Sequence, residues 1–146
     1  MMLAMRRMAE LAPFSADHHR ELVHARRLLH AADGTPEVRL ETARAYVQAF
    51  FTETVEHFRR EEEELFPLYV RHAGRTPALR RILDEHMQLH GLLRSLRTHA
   101  VAGAVEPEEL RSLGELLRAH VRIEEREVFE HLQQVVPAEE LAALAG

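Results

Sequence analysis

The sequence predicts an all-α chain folded as an antiparallel up-down-up-down four-helix bundle with a short extra C-terminal helix. Three observations predict it. Proline and glycine punctuate the chain at intervals too long for strands, and the segments between them carry apolar residues at helical spacing along single faces. The connections are short, which makes successive helices antiparallel neighbours. With 146 residues the chain can bury a core of its own, so one domain over 1–146 is expected, its core at about residues 14–135.

The first helix is predicted to open near Ser15 or Asp17, either of which can cap it, to carry Leu22, Ala25 and Leu29 on one face, and to end at Asp33-Gly34. The dozen residues before it read as a loose flap. Thr35-Pro36-Glu37 starts the second helix: threonine caps, proline takes the first helical position, and glutamate meets the positive end of the dipole. This helix runs to about His72, before Gly74, with Pro67 disturbing it near its end. Thr76-Pro77 repeats the start signal for a third helix that stops around Val101 to Gly103, and Pro107-Glu108-Glu109 begins a fourth that continues to about Gln134. Pro137 breaks the chain, and Ala138 to Ala145 form the short closing helix.

Composition narrows the chemistry. Cysteine and tryptophan are absent, which removes disulfides, thiolate zinc sites, iron–sulfur clusters and catalytic thiols, so any metal must be held by nitrogen and oxygen. The 24 acidic against 19 basic residues give a net charge of -5, which argues against a nucleic-acid or anionic-membrane partner. Every basic residue other than histidine is arginine. No apolar stretch is long enough for a signal peptide or a membrane span, so a cytoplasmic protein is expected. Eleven histidines are the compositional oddity.

Five of them fall on interior faces. The second helix carries His57 and Glu61, and the fourth carries His120 and Glu124, each pair four residues apart and so one above the other. The stripe Phe50, Thr54, His57, Glu61, Leu65 and Leu68 in the second helix matches Leu110, Leu113, Leu117, His120, Glu124 and Val128 in the fourth. Leu79, Leu83, His86, His90 and Leu93 make a line along the third helix. In the first, spacing from His18 reaches Leu22, Ala25 and Leu29, whereas spacing from His19 reaches Leu22 and then Arg26, so His18 is the interior choice. Two ionised carboxylates facing each other in an apolar layer are strongly unfavourable. Two cations bridged by those carboxylates and ringed by imidazoles resolve the conflict. The other six histidines need no metal: His30, His72, His99 and His131 lie near helix ends, and His19 and His24 lie off the stripe.

The ordered set of a first-helix histidine, HxxxE, HxxxH and HxxxE resembles the hemerythrin-like family of histidine–histidine–glutamate cation-binding domains over roughly residues 14 to 135. The segments HFRREEEELFP and HVRIEEREVFE also resemble one another, as suits a symmetric two-metal bundle. The resemblance implies two non-haem irons, oxo- or hydroxo-bridged: one on His86, His90 and His120, the other on His18 and His57, with Glu61 and Glu124 bridging. The two-histidine iron would keep a position open. HxxxE in the fourth helix departs from the respiratory oxygen carriers, which use a more distant aspartate, and the cysteine-bearing segment of the family's iron-repair proteins is absent.

A module binding dioxygen or nitric oxide, as carrier, scavenger or sensor, is the first functional expectation. A di-iron redox enzyme acting on peroxide, ferrous iron or damaged iron centres is the second, and iron storage or delivery the third. The acidic runs Glu61 to Glu64 and Glu124 to Glu127 read as solvated faces or as partners of the metal ligands rather than as acid/base catalysts.

Overall fold

The computed structural model describes residues 7–144, in which there is no strand. A 3-10 turn, Ala9–Leu11, leads into α1, Ala12–Ala32. Helix α2 covers residues 36–73, α3 is Pro77–Ala102, α4 covers residues 107–135, and α5 is Ala138–Ala143. Residue 145, placed in the last helix by the sequence, lies outside the described residues. No helix among them is long and apolar enough to cross a membrane.

The boundaries follow the cap chemistry. Thr35 accepts a hydrogen bond from the Val38 N–H and Thr76 one from the Leu79 N–H, each at 3.2 Å, while Glu106 and Glu109 close a reciprocal capping box ahead of Pro107. Gly74 and Gly103 stop α2 and α3 at φ of 72° and 79°, a backbone conformation that a Cβ would strain. The expected start of α1 is corrected: the helix opens at Ala12, with Pro13 in its first turn. Ser15 and Asp17 do not cap it because their side chains are engaged elsewhere, Ser15 donating to Glu125 and Asp17 accepting from His57. Nor are the residues just before α1 loose. Arg7 pairs with Glu125 at 3.1 Å, the Met8 N–H donates to Gln133, and Leu11 is fully buried.

Two apolar clusters make up the interior. One gathers Leu28, Tyr46, Phe50, Leu93, Leu96, Leu113 and Leu117; the other gathers Leu11, Phe14, Leu65, Tyr69, Ile82, Phe129, Leu132 and Leu141. Along α1 and α3 the chain passes from the second cluster to the first, and along α2 and α4 from the first to the second. Helix α1 packs on α4 and α2, and α3 packs on the same two. Between the clusters every long helix carries buried histidine, glutamate or both.

Helices α2 and α4 are not α-helical throughout. Phe50–Thr54, Glu61–Leu65 and Glu124–Phe129 are π-helical; the Val55 N–H bonds to the Phe50 carbonyl and the Phe66 N–H to that of Glu61. The cause is legible in the spacing. Buried residues recur every four positions at Phe50 and Thr54, at Glu61 and Leu65, and at Glu124, Val128 and Leu132. Four residues of α-helix turn about 400°, so a four-residue repeat drifts by about 40° per step. A wider π turn absorbs that drift and keeps the face inward, and such turns recur at functional sites. Pro67, whose missing N–H was expected to kink α2, lies two residues beyond the Glu61–Leu65 segment.

Helix α3 has no π turn. Its buried face therefore keeps the ordinary three-four alternation, Leu79, Ile82, His86, Leu89, Leu93, Leu96 and Ala100. That alternation takes Leu89 inward and leaves Leu83 and His90 exposed, against the four-residue line expected through them. In α1 the buried face is Phe14, His18, Glu21, Ala25, Leu28 and Ala32, with Leu22 and Leu29 at its margins rather than on it.

Candidate metal centre

Two constellations form where the four helices meet. His18, His57, Glu61 and Glu124 make one, and His86, His120 and Glu124 the other, the ligand atoms within each lying within 4.8 Å of one another. Glu61 and Glu124 are completely buried, and both open π-helical segments. Glu61 spans the pair: its Oε2 lies 3.2 Å from His57 Nε2 and 3.5 Å from His18 Nε2, while its Oε1 lies 3.4 Å from His86 Nε2. Glu124 Oε1 lies 3.1 Å from His18 Nε2 and 3.5 Å from His120 Nε2.

Every inward-facing atom of this layer lacks a hydrogen bond. The Nε2 atoms of His18, His57, His86 and His120 and all four oxygens of Glu61 and Glu124 are buried with no hydrogen bond to a described residue, only the close imidazole–carboxylate approaches given above. Eight such atoms pointing at one another are a costly arrangement for a bare protein interior. They are what a pair of cations with nitrogen and oxygen ligands requires, so the donor set fits the metals that the sequence predicts.

The outward nitrogens are all satisfied. His18 Nδ1 meets Glu125 at 2.6 Å, His57 Nδ1 meets Asp17 at 2.9 Å, His86 Nδ1 meets Glu62 at 2.7 Å and His120 Nδ1 meets Glu85 at 2.9 Å. A carboxylate behind a histidine fixes the ring's tautomer and turns Nε2 toward a metal. Three of these carboxylates are anchored in turn: Glu125 by Ser15 and Arg7, Asp17 by Arg20, and Glu85 by Arg81.

This outer ring repeats itself. Asp17 precedes His18 and serves His57; Glu85 precedes His86 and serves His120. Glu62 follows Glu61 and serves His86; Glu125 follows Glu124 and serves His18. The α1–α2 pair and the α3–α4 pair therefore supply equivalent sets, two histidines, one central glutamate and two supporting carboxylates each. His90 has no counterpart in this scheme, because the residue four after His18 is Leu22. The structure does not bring it to either constellation: it is exposed, its ring set edge-on to Phe50 and Phe58 at centroid distances of 5.3 and 5.8 Å. His19 is exposed as well, whereas His18 is buried. Of the remaining histidines, His24 faces Glu53, His72 faces Glu140, His99 faces Glu109 and His131 faces Tyr69.

Charge balances within the layer. Burial opposes the imidazolium forms, but the surrounding carboxylates win: Glu124, Glu125 and Glu61 hold His18 well above its ordinary value, His57 rises to about 10 beside Glu61 and Asp17, and His86 to about 9 beside Glu61 and Glu62. Burial also opposes ionisation of Glu61, yet His57 and His18 keep its carboxyl well below the usual range. Glu124, as deeply buried and facing the Glu61 charge, is held above it. Without metal, the carboxylates thus favour the protonated forms of His18, His57 and His86.

Sequence reading missed Glu85, which backs His120, and one further group. Glu21, Thr54 and Tyr46 are buried together beside the layer, with Thr54 Oγ1 donating to Glu21 Oε1. Glu21 Oε2 and the Tyr46 hydroxyl have no hydrogen-bond partner. Burial raises the Glu21 carboxyl, and burial together with the Glu21 charge raises the Tyr46 phenol well above its usual value. The signal was present as a spacing: Glu21 stands three residues after His18, on the same face.

Searches among curated proteins and among solved structures found no match. The family profile described as hemerythrin HHE cation binding domain matches residues 13–132, which span nearly the whole of the four long helices and every residue of the two constellations; the chain belongs to the hemerythrin HHE cation-binding family.

Proposed function

We propose that this chain is a single-domain, up-down-up-down antiparallel four-helix bundle whose central layer holds two non-haem irons and binds a small diatomic ligand, dioxygen or nitric oxide. The alternating order in which the four helices run between the two apolar clusters supports the topology. The single observation that carries the metal reading is the set of eight buried nitrogen and oxygen atoms that point at one another without a hydrogen bond. His18 and His57 would hold one ion, His86 and His120 the other, with Glu61 and Glu124 shared. Imidazole and carboxylate together suit iron better than calcium or magnesium. With two histidines on each side, the residues present would leave neither ion fully ligated by protein, and ferrous iron held there would supply the capacity to bind dioxygen or nitric oxide. The protein's own part is to orient the imidazoles through the outer carboxylates and to keep bulk water out. Phe14, Phe58 and Phe129 pack against the ligand rings, Phe58 stacking on His86 at 3.8 Å and Phe129 on His18 at 5.0 Å.

One observation favours the second reading, a redox enzyme consuming peroxide. Glu21 is a buried carboxyl group, raised by burial, with an oxygen beside the layer that no hydrogen bond engages, a group that a purely reversible carrier does not need. Anaerobic reconstitution with ferrous iron separates the readings. Two irons per chain and an optical spectrum that appears with dioxygen and disappears on its removal support binding. Irreversible oxidation with rapid peroxide turnover supports the enzyme, and a single tightly held metal refutes the shared-carboxylate arrangement. His90→Ala is expected to retain both irons; loss of one from this variant would return His90 to the ligand set.

A further inference from the structure

A cleft of about 360 Å³ opens on the α2–α3 surface beside the metal layer, walled by Phe50 and Phe51 on one side and by His90, Arg94 and Arg97 on the other. This volume is within the range of small-molecule sites. Its charge sets it apart. Four other grooves among the described residues, lined by Arg26 and Arg27, by Arg75 and Arg80, by Arg118, Arg122 and Arg126, and by Arg71, each contain at least one carboxylate: Glu41, Glu62 and Asp84, Glu115, and Glu64 and Glu140 respectively. This cleft has cationic and neutral walls only, in a chain of net charge -5. Neither Arg94 nor Arg97 forms an ion pair with a described residue, and His90 makes no hydrogen bond among them. Phe51 is 50% exposed at the rim, with the Arg97 guanidinium 5.5 Å from its ring centroid.

Two guanidinium groups one helical turn apart can grip one oxyanion, each offering a fork of donors. Beside them the half-exposed Phe51 and the buried Phe50, their rings nearly perpendicular at 86°, form an apolar corner against which the face of one planar ring and its edge can rest. From this pairing we infer that the cleft is a binding site for an organic anion made of a planar aromatic or heteroaromatic ring carrying a phosphate or carboxylate, the anionic group on Arg94 and Arg97 and the ring on Phe50 and Phe51. The site is separate from the metal ligands but close to them. His90 in its wall lies edge-on to Phe58, and Phe58 stacks on His86, so the cleft's wall is two ring contacts from the layer.

Flavin mononucleotide is a suitable probe, since it combines such a ring with a phosphate and reports its own binding by fluorescence anisotropy; riboflavin has the same ring without the phosphate. The protein is titrated as purified and again after chelation. Saturable binding of flavin mononucleotide in both preparations, about tenfold weaker binding of riboflavin, and about tenfold loss in Arg94→Ala/Arg97→Ala with unchanged circular dichroism are the expected results. Both arginines are exposed, so the variant should fold. Phe51→Ala should weaken flavin mononucleotide without changing the preference for phosphate. Absence of binding, binding indifferent to the two arginines, equal affinity for riboflavin, or binding lost on chelation would each overturn the assignment; the last would mean that the phosphate had ligated metal. Because chelated protein is included, failure here leaves the reading of the metal centre standing.

Discussion

Raising the pH of the metal-free protein should destabilise it across a range in which few of its groups titrate. His57, at about 10, His86, at about 9, and His18, also raised, hold protons in the native state that the unfolded chain releases near 6.5. A raised folded-state value gives stability that is complete below about pH 6.5 and is lost as the pH climbs through 9 and 10. The chain contains neither lysine nor cysteine, and Tyr46 and Tyr69 are both raised, so these imidazoles dominate that window. A native state holding one extra proton loses about 1.4 kcal/mol per pH unit. Taken alone, the shift of His57 corresponds to about 5 kcal/mol and that of His86 to about 3 kcal/mol. They do not add, because both lean on Glu61, and a total near 3–5 kcal/mol is expected, a large fraction of ordinary domain stability. Urea denaturation of chelated protein at intervals from pH 6.5 to 9.5 measures it. The midpoint should fall throughout, whereas iron-loaded protein, its ligand protons displaced, should show little slope. A level or rising midpoint in the metal-free protein would refute the view that imidazolium protons neutralise this layer.

Replacing either supporting carboxylate, Glu62→Gln or Glu125→Gln, should lower iron affinity about 10–100-fold, by similar amounts if the two helix pairs are equivalent; competition against a calibrated chelator measures it. Thr54→Val removes the donor to buried Glu21 and should cost about 1–3 kcal/mol in thermal or urea unfolding. Two glycines make an opposed pair. A Cβ on Gly91 meets open space, so Gly91→Ala should stabilise by up to about 1 kcal/mol. A Cβ on Gly114 would come within 2.8 Å of Leu29 Cγ and 3.1 Å of the Ala25 carbonyl, so Gly114→Ala should destabilise by about 1–3 kcal/mol, despite the same gain in helix propensity.

Helix ends were legible because proline, glycine and threonine act locally, as the caps at Thr35 and Thr76 show. The pairs His57 with Glu61 and His120 with Glu124 were legible because each interrupts an apolar stripe. The error in α3 came from treating a four-residue spacing as equivalent in every helix. It stays inward in α2 and α4, where π turns absorb the drift, and turns outward in α3, where none exists. Glu21 was missed because a glutamate within a helix reads as solvated unless its offset from His18 is counted. The acidic runs divided in a way composition alone does not resolve: Glu62 and Glu125 back histidines, whereas Glu63 and Glu64 pair with arginines at the surface.

The π segments also determine what a deletion would do. Each gives its helix a residue that a regular α-helix of the same rise would not need, so losing one residue within Glu61–Leu65 would let α2 return to better-aligned hydrogen bonds. Because the wide turn is what takes up that residue, Leu68 and Tyr69 beyond it would keep facing the cluster they now fill. The damage would fall on the turn that carries Glu61, so the apolar interior would stand while the metal layer lost its alignment. Such a lesion would escape a far-UV spectrum and an unfolding curve alike and appear only as lost metal.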